Sequence, residues 1–337
     1  MASTQTLLLS PLLFTTCFTF LFSPAIGALC NSDDKRALLA IKAAFNNPYL
    51  LSSWVPSTGC CDWAGVLCDD STGRVYSLYI YQDTNLTGTI PTAIASLPYL
   101  RYLMFHHLPG ITGPIPSALG NLPHLDQLTI SFTSVSGPVP SFLASLQSLT
   151  QLDLSFNSLS GSIPASLSLI PNLTFIDISR NHLTGQLPQA LFQNASQQPA
   201  YLRLSHNNLS GEIPASYSHI NFVQVDLARN KFTGDATLLF GREKPLEKVD
   251  LSRNMFQFDL SNVVFPESAL YVIDLNHNMI FGSIPQQINI VHNLQIFNVS
   301  YNRLCGRIPT GGQLARFEGY DYLHNKCLCG TPLPPCN

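Results

Sequence analysis

The sequence predicts an α/β solenoid of ten stacked leucine-rich coils, closed at both ends by cysteine-stapled caps. Three observations predict it. A glycine slot recurs at Gly88, Gly113, Gly137, Gly161, Gly185, Gly211, Gly234, Gly282 and Gly306, at intervals of 25, 24, 24, 24, 26, 23, 48 and 24 residues. A fixed period in the low twenties marks a solenoid. Each period also repeats the spacing LxxLxLxxN, clearest in LTQLDLSFNSLSGSIP at residues 149–164. Finally, eight of the nine cysteines fall into two groups of four that bracket the repeats. The 48-residue interval hides a copy whose slot holds Phe258, which brings the repeats to ten.

The letters of the unit explain its shape. In Leu152-Asp153-Leu154 two leucines alternate with an exposed residue, the period of a short half-buried strand. One coil cannot hide both leucines, so stacked copies bury them in a shared core. Asn157 recurs as Asn181, Asn207, Asn230, Asn254, Asn278 and Asn302, where the chain turns inward. A buried asparagine there satisfies backbone groups of neighbouring coils, each of which would otherwise cost roughly 1–3 kcal/mol. The L-[ST]-G-x-[IL]-P segment that follows supplies a permissive glycine and a proline that ends local pairing. This variant resembles the plant subtype of leucine-rich repeat.

In chain order, residues 1–28 read as a secretory signal peptide. An apolar run at 7–22 precedes SPAIGA, with cleavage expected near Gly27 or Ala28, although the n-region lacks a basic residue. Residues 29–74 form the N-terminal cap. Leu38, Leu39, Ile41, Lys42 and Phe45 give an amphipathic helix ended by Pro48, and Trp54 and Trp63 read as core plugs. The repeats span 75–309. Repeat two carries His106-His107-Leu108-Pro109 in its turn, and repeat eight reads FQFDL at 256–260; both departures should bend the outer side locally. Residues 310–337 close the stack. No later stretch reaches the 18 apolar residues of a membrane span, and the mature chain is expected to be soluble and extracellular.

Cys17 leaves with the signal. Cys30, Cys60, Cys61 and Cys68, and then Cys305, Cys327, Cys329 and Cys336, read as disulfides of an oxidising compartment. The vicinal pair and the CxC spacing fit zinc poorly. Of the 105 pairings open to eight cysteines, nine keep each group to itself. Cys60 and Cys61 make poor partners for one another, which favours Cys30–Cys60, Cys61–Cys68, Cys305–Cys327 and Cys329–Cys336 among the alternatives. Sequons at Asn85, Asn172, Asn194, Asn208 and Asn298 predict glycosylation, with Asn298 disfavoured by its place in a strand.

The strands should form one concave parallel sheet roughly 45 Å long. Between the strand leucines one exposed column reads Tyr79, Met104, Thr129, Asp153, Asp177, Arg203, Asp226, Asp250, Asp274 and Asn298. Three residues later a second reads Gln82, His107, Phe132, Phe156, Arg180, His206, Arg229, Arg253, His277 and Tyr301. Carboxylates about 5 Å apart repel by roughly 1 kcal/mol in water and more at lower dielectric. Arg180, Arg229 and Arg253, or a basic partner, would offset that. The irregular residues Tyr102, Gln127, Gln151, Phe175, Tyr201, Arg203, Gln224, Lys248 and Gln295 suit protein recognition.

Enzymatic chemistry is not supported. HExxH, GxSxG and glycine-rich phosphate motifs are absent from the sequence. Aspartate rows on an open sheet have no cleft to exclude water. No metal or cofactor is expected. With net charge −3 and no basic run, nucleic acid and anionic membranes are poor partners.

The cap CNSDDKRALLAIKAAFNNPYLLSSW with its CCDW, the repeats, and the ending HNKCLCGTPLPPC are together similar to plant polygalacturonase-inhibiting proteins. The resemblance covers essentially the whole mature chain. It implies secretion to the plant cell wall, the disulfide pairing favoured above, and inhibition of fungal or insect endopolygalacturonases through the concave strands, with cell-wall pectin as a further ligand. Carried over by position, Asp153 and Asp226 match acidic contacts of the family. The family acid between them falls at Ser179 here, with Asp177 two residues earlier. Glu247 and Gln295 stand where members tune target choice. The expected partner face therefore comprises Asp153, Asp177, Ser179, Arg180, Arg203, Gln224, Asp226, Glu247, Asp250, Asp274 and Gln295. The chain departs from the family pattern at Ser179 and at Ala64-Gly65 after CCDW. Two other readings are a developmental partner-binding module that uses the same face, and an ice-binding relative. For the latter, only the Thr/Ser column at Thr87, Thr112, Ser136, Ser160, Thr184, Ser210 and Thr233 offers a regular array.

Overall fold

The computed structural model describes residues 29–195, 198–267 and 269–336. The expected signal peptide lies outside them. Among the described residues no helix is long and apolar enough to cross a membrane.

The chain enters through helix α1, Ser32–Ala44, whose N-cap Asn31 accepts from the amides of Asp33 and Asp34. The helix stops four residues before Pro48 because Asn46 and Asn47 turn left-handed, at φ 56° and 54°. Asparagine tolerates that region better than most residues. Asp34 is fully buried. It accepts from the Val75 amide at 2.8 Å and pairs with Arg74 at 2.9 Å, tying the helix to the first coil. Trp54 stacks on Trp63 at 5.7 Å inside the cap. Strand Val66–Cys68 then pairs antiparallel with Val75–Tyr81 and covers that edge of the sheet.

From there the chain repeats one coil. Strands Val75–Tyr81, Tyr102–Gly113, Gln127–Pro138, Gln151–Asp153, Phe175–Asp177, Ala200–Arg203, Phe222–Asp226, Lys248–Asp250, Val272–Asp274 and Ile296–Asn298 pair in parallel, each with the next. After each turn a second, shorter strand carries the glycine, for example Ser158–Gly161, His182–Gly185 and Asn208–Gly211. Single 3-10 turns follow the repeat proline, as in Ser141–Ser145 after Pro140 and Ala165–Leu169 after Pro164. They point Leu143 and Leu167 into the core.

The asparagine ladder works as its spacing predicts. Asn181 donates to the carbonyls of Leu154, Ile178 and Ser179 and accepts from the Leu159 amide. The pattern continues one coil past the last repeat, where Asn325 accepts from the Leu304 amide and donates to Val299 O. The C-terminal cap thus presents one more copy of the turn to the stack.

Two departures are resolved. In the second and third repeats the strand runs unbroken through the turn, with an irregularity between Leu108 and Thr112. In the eighth, Phe258 replaces glycine by burying its ring in the core. Its backbone is not left-handed, whereas Gly282 sits at φ 83°. At Gly282 a Cβ would fall 1.9 Å from Asp259 Oδ1. The caps are closed by disulfides Cys30–Cys60, Cys61–Cys68, Cys305–Cys327 and Cys329–Cys336.

Candidate partner-binding face

The register places Asp153, Asp177, Arg203, Asp226, Asp250, Asp274 and Asn298 side by side, one per strand. Each acid ends its strand with a local task. Oδ1 of Asp153 accepts from Ser155 N at 2.9 Å, that of Asp177 from Ser179 N at 3.0 Å, and that of Asp250 from Ser252 N at 3.0 Å. Asp226 and Asp274 bond Ala228 N and Asn276 N in the same way. Asn298 does so with Ser300 N, which shows that the turn requires the oxygen and not the charge. This is the Asx turn, in which a short side chain satisfies a backbone donor two residues on.

What remains for a partner is the other carboxylate oxygen. In Asp153, Asp250 and Asp274, Oδ2 takes no hydrogen bond or ion pair among the described residues. Oδ2 of Asp226 accepts from Ser205 Oγ at 3.0 Å. Asp177 is different. It is buried, and its Oδ2 lies 3.7 Å from Arg203. Ser179 is buried too and donates to Asp177 through both N and Oγ. Those two expected contacts therefore serve the coil itself, because the serine side chain folds inward to close the turn.

Crowding shifts the acids. Burial, followed by the neighbouring Asp250 charge, raises the Asp226 carboxyl. The same two causes, in the same order, push Asp274 up to about 6. Burial also raises Asp177, against its bonds from Ser179.

The second column has a backbone signature. Gln82, His107, Phe132, Phe156, Arg180, His206, Arg229, Arg253, His277 and Tyr301 all have φ between 52° and 58°, and His324 adds another at 60°. A left-handed conformation costs an ordinary residue about 1–2 kcal/mol, yet none of these is glycine. Their side chains stack along the solenoid. Phe132 lies 3.8 Å from Phe156, which carries Arg180 at 4.9 Å, and His277, Tyr301 and His324 follow at 4.1 Å steps. The expectation that Arg180, Arg229 and Arg253 neutralise the acids is not met. Among the described residues none of them forms an ion pair with the first column. Arg180 lies instead over the Phe156 ring. Burial, followed by the charges of Arg180 and Arg229, lowers His206, and burial followed by those of Arg253 and Arg229 lowers His277.

Arg203 is the cation that does sit among the acids. It pairs with Asp177, donates to Gln224 Oε1 at 2.8 Å, and covers the Phe175 ring at 5.3 Å. Glu247 and Gln295 lie one residue before their strands on an exposed rim. Gln295 is therefore not in the column of Gln224 and Lys248; Ile296 is, half exposed at 50%. The repeat spacing Leu294, Phe297, Val299 and Asn302 already puts Ile296, and not Gln295, in that column. The turn duty of the aspartates was missed as well, although a Ser, Ala or Asn two residues after each acid carried its signal.

A leucine-rich-repeat N-terminal domain matches residues 31–69, and leucine-rich repeats match 123–183 and 200–220. In structure the chain is similar to a plant ice-binding protein, with a TM-score of 0.88 and 46% identity over 92% of this chain and 99% of that one. In sequence it is 49% identical to polygalacturonase inhibitor 1 of Arabidopsis thaliana, over 95% of this chain and 96% of that one. It is 50% identical to the polygalacturonase inhibitor of Pyrus communis over 96% of both chains. With half its residues shared along nearly the full length of such relatives, this chain belongs to the polygalacturonase inhibitor family of leucine-rich-repeat proteins.

Proposed function

We propose that this chain is a secreted, non-catalytic inhibitor that binds a fungal or insect endopolygalacturonase on its concave face and blocks pectin degradation at the plant cell wall. The observation that carries this reading is the row of carboxylates at Asp153, Asp226, Asp250 and Asp274, held rigidly by their own turns. In three of them the second oxygen takes no hydrogen bond among the described residues. Such a row attracts a basic surface and fixes its register. Gln224, Lys248 and Ile296, with Glu247 and Gln295 on the rim, vary from coil to coil and give the contact its selectivity. Arg180, Arg229 and Arg253, unpaired with the acids, form a strip on which anionic wall pectin would also lie.

The test is reducing-sugar release from polygalacturonate by a panel of endopolygalacturonases, with and without the secreted, disulfide-intact protein. Salt-sensitive inhibition of at least one enzyme is expected. No inhibition across the panel would sink the reading and leave a partner-binding module of other purpose.

A further inference from the structure

A second built surface lies on the rim, outside the acidic face. Backbone pairing aligns Tyr76, Arg101, Asp126, Thr150 and Thr174 across successive coils. Two residues earlier in each coil, another column therefore reads Arg74, Tyr99, His124, Ser148 and Asn172. Its first three members are stacked. The Arg74 guanidinium, pinned by buried Asp34, lies 4.6 Å over the Tyr99 ring, and Tyr99 stacks on His124 at 6.0 Å. Both rings are exposed. The fourth member, Ser148, is small and opens an open groove of about 560 Å³ lined by Tyr99, Arg101, His124, Asp126, Ser148 and Thr150. The fifth is the exposed sequon asparagine of Asn172-Leu173-Thr174.

The groove has the mixture that sugars need: a flat ring face for the apolar side of a pyranose, and polar groups at its edge for hydroxyl and acetamide groups. Arg101 stands 3.7 Å from Asp126 with its side chain half exposed, and Thr150 donates to Asp126 Oδ1. From Asn172 to His124 is two coils, about 10 Å at strand spacing, a gap that the first sugars of an N-linked glycan cross.

We propose that this rim groove is the cradle of the chain's own N-glycan at Asn172, whose proximal sugars stack on the outer face of His124, backed by Tyr99, and hydrogen-bond Arg101 and Asp126. The glycan lies along the N-terminal coils beside the acidic face, fixed in place instead of sweeping over it. This depends on export of the chain and not on the inhibitor reading.

The experiment uses the full secreted protein. Glycopeptide mass spectrometry first measures occupancy at Asn85, Asn172 and Asn208. Endoglycosidase release is then timed at each site in the native parent, in Tyr99→Ser with His124→Ser, and in Tyr49→Ser as a control on an exposed tyrosine elsewhere. Losing the stacked rings should accelerate release at Asn172 by about 5- to 10-fold and leave the other sites and the control unchanged. Circular dichroism of the double variant checks that it folds. Equal release rates at Asn172 in parent and double variant would overturn the proposal, and so would an unmodified Asn172 in a chain glycosylated at Asn85 or Asn208.

Discussion

Replacing Asp153, Asp250 and Asp274 with asparagine separates the two jobs that these residues hold. Asparagine keeps the oxygen that closes the turn, as Asn298 already does with Ser300 N at 3.0 Å and Ser300 Oγ at 2.7 Å. The triple asparagine variant should therefore be at least as stable as the parent at pH 7, because it keeps the turn and also removes the burial of charge and the Asp250 repulsion that raise Asp274. Alanine removes the acceptor and leaves the Ser155, Ser252 or Asn276 amide without its partner, at about 0.5–1.5 kcal/mol per site. For binding the two series should agree, since both lose three charges. At about 0.2–1 kcal/mol per partly exposed charge, the triple variant should inhibit about 3- to 150-fold more weakly. Its inhibition should also respond less to salt, since fewer charges are screened. The assays are denaturant unfolding for stability and inhibition of a susceptible endopolygalacturonase at two ionic strengths. If the asparagine triple inhibits as strongly and as salt-sensitively as the parent, the acidic face is not the binding determinant. If alanine and asparagine variants are equally stable, the turn assignment is wrong.

Asp274 predicts a pH effect. With its carboxyl raised to about 6 by burial and by Asp250, the folded chain holds that proton where the unfolded chain has released it. The linkage makes stability fall as pH rises from about 4 through 6, and Asp274→Asn should remove that slope in thermal melts between pH 4 and 7. A basic partner pulls the carboxyl back to its charged form, so inhibition should strengthen from pH 5 to 7 in the parent more than in Asp274→Asn, as read from inhibition constants at each pH. Phe258→Gly restores the repeat glycine but empties a buried ring site; it should cost about 3–5 kcal/mol in unfolding experiments. Arg253→Gly relieves a left-handed φ of 55° at an exposed position and should raise stability by about 0.5–1 kcal/mol, measured by the same unfolding assay, while it removes one cation from the second column. Thermal hysteresis at high protein concentration should be absent, because the concave face is mixed in charge and the Thr/Ser column gives way to Gln257 and Phe281 in later coils; a freezing-point gap in nanolitre osmometry would contradict this.

Most of the coil was legible because its determinants are local and repeated. The residue between two strand leucines can only point outward, and register follows from aligning Asn157 with Asn181 and its successors. What stayed hidden depends on where a short side chain turns once the backbone has bent. Ser179 reads as surface in the pattern LxLSxN, yet its hydroxyl folds in to Asp177. The arginines of the second column sit three residues from acids, which suggests pairing, but among the described residues none of them forms such an ion pair, and Arg180 lies over the Phe156 ring.

These differences change what the acidic row means. A carboxylate at the strand end is a good solution to the turn, so a stack of aspartates arises in any solenoid built on LDLSxN before a partner exerts any selection. The row cannot by itself encode which enzyme is bound. Selectivity has to come from positions with no duty in the coil, and three kinds are present. The column of Gln224, Lys248 and Ile296 projects from the strands with no turn to close. The exposed rim carries Glu247 and Gln295. The left-handed column keeps bulky side chains against a backbone preference for glycine, and that cost is maintained at every one of its ten repeat positions. In the proposed inhibitor the acids supply attraction common to any basic partner, and the strained and irregular positions beside them would decide which partner fits.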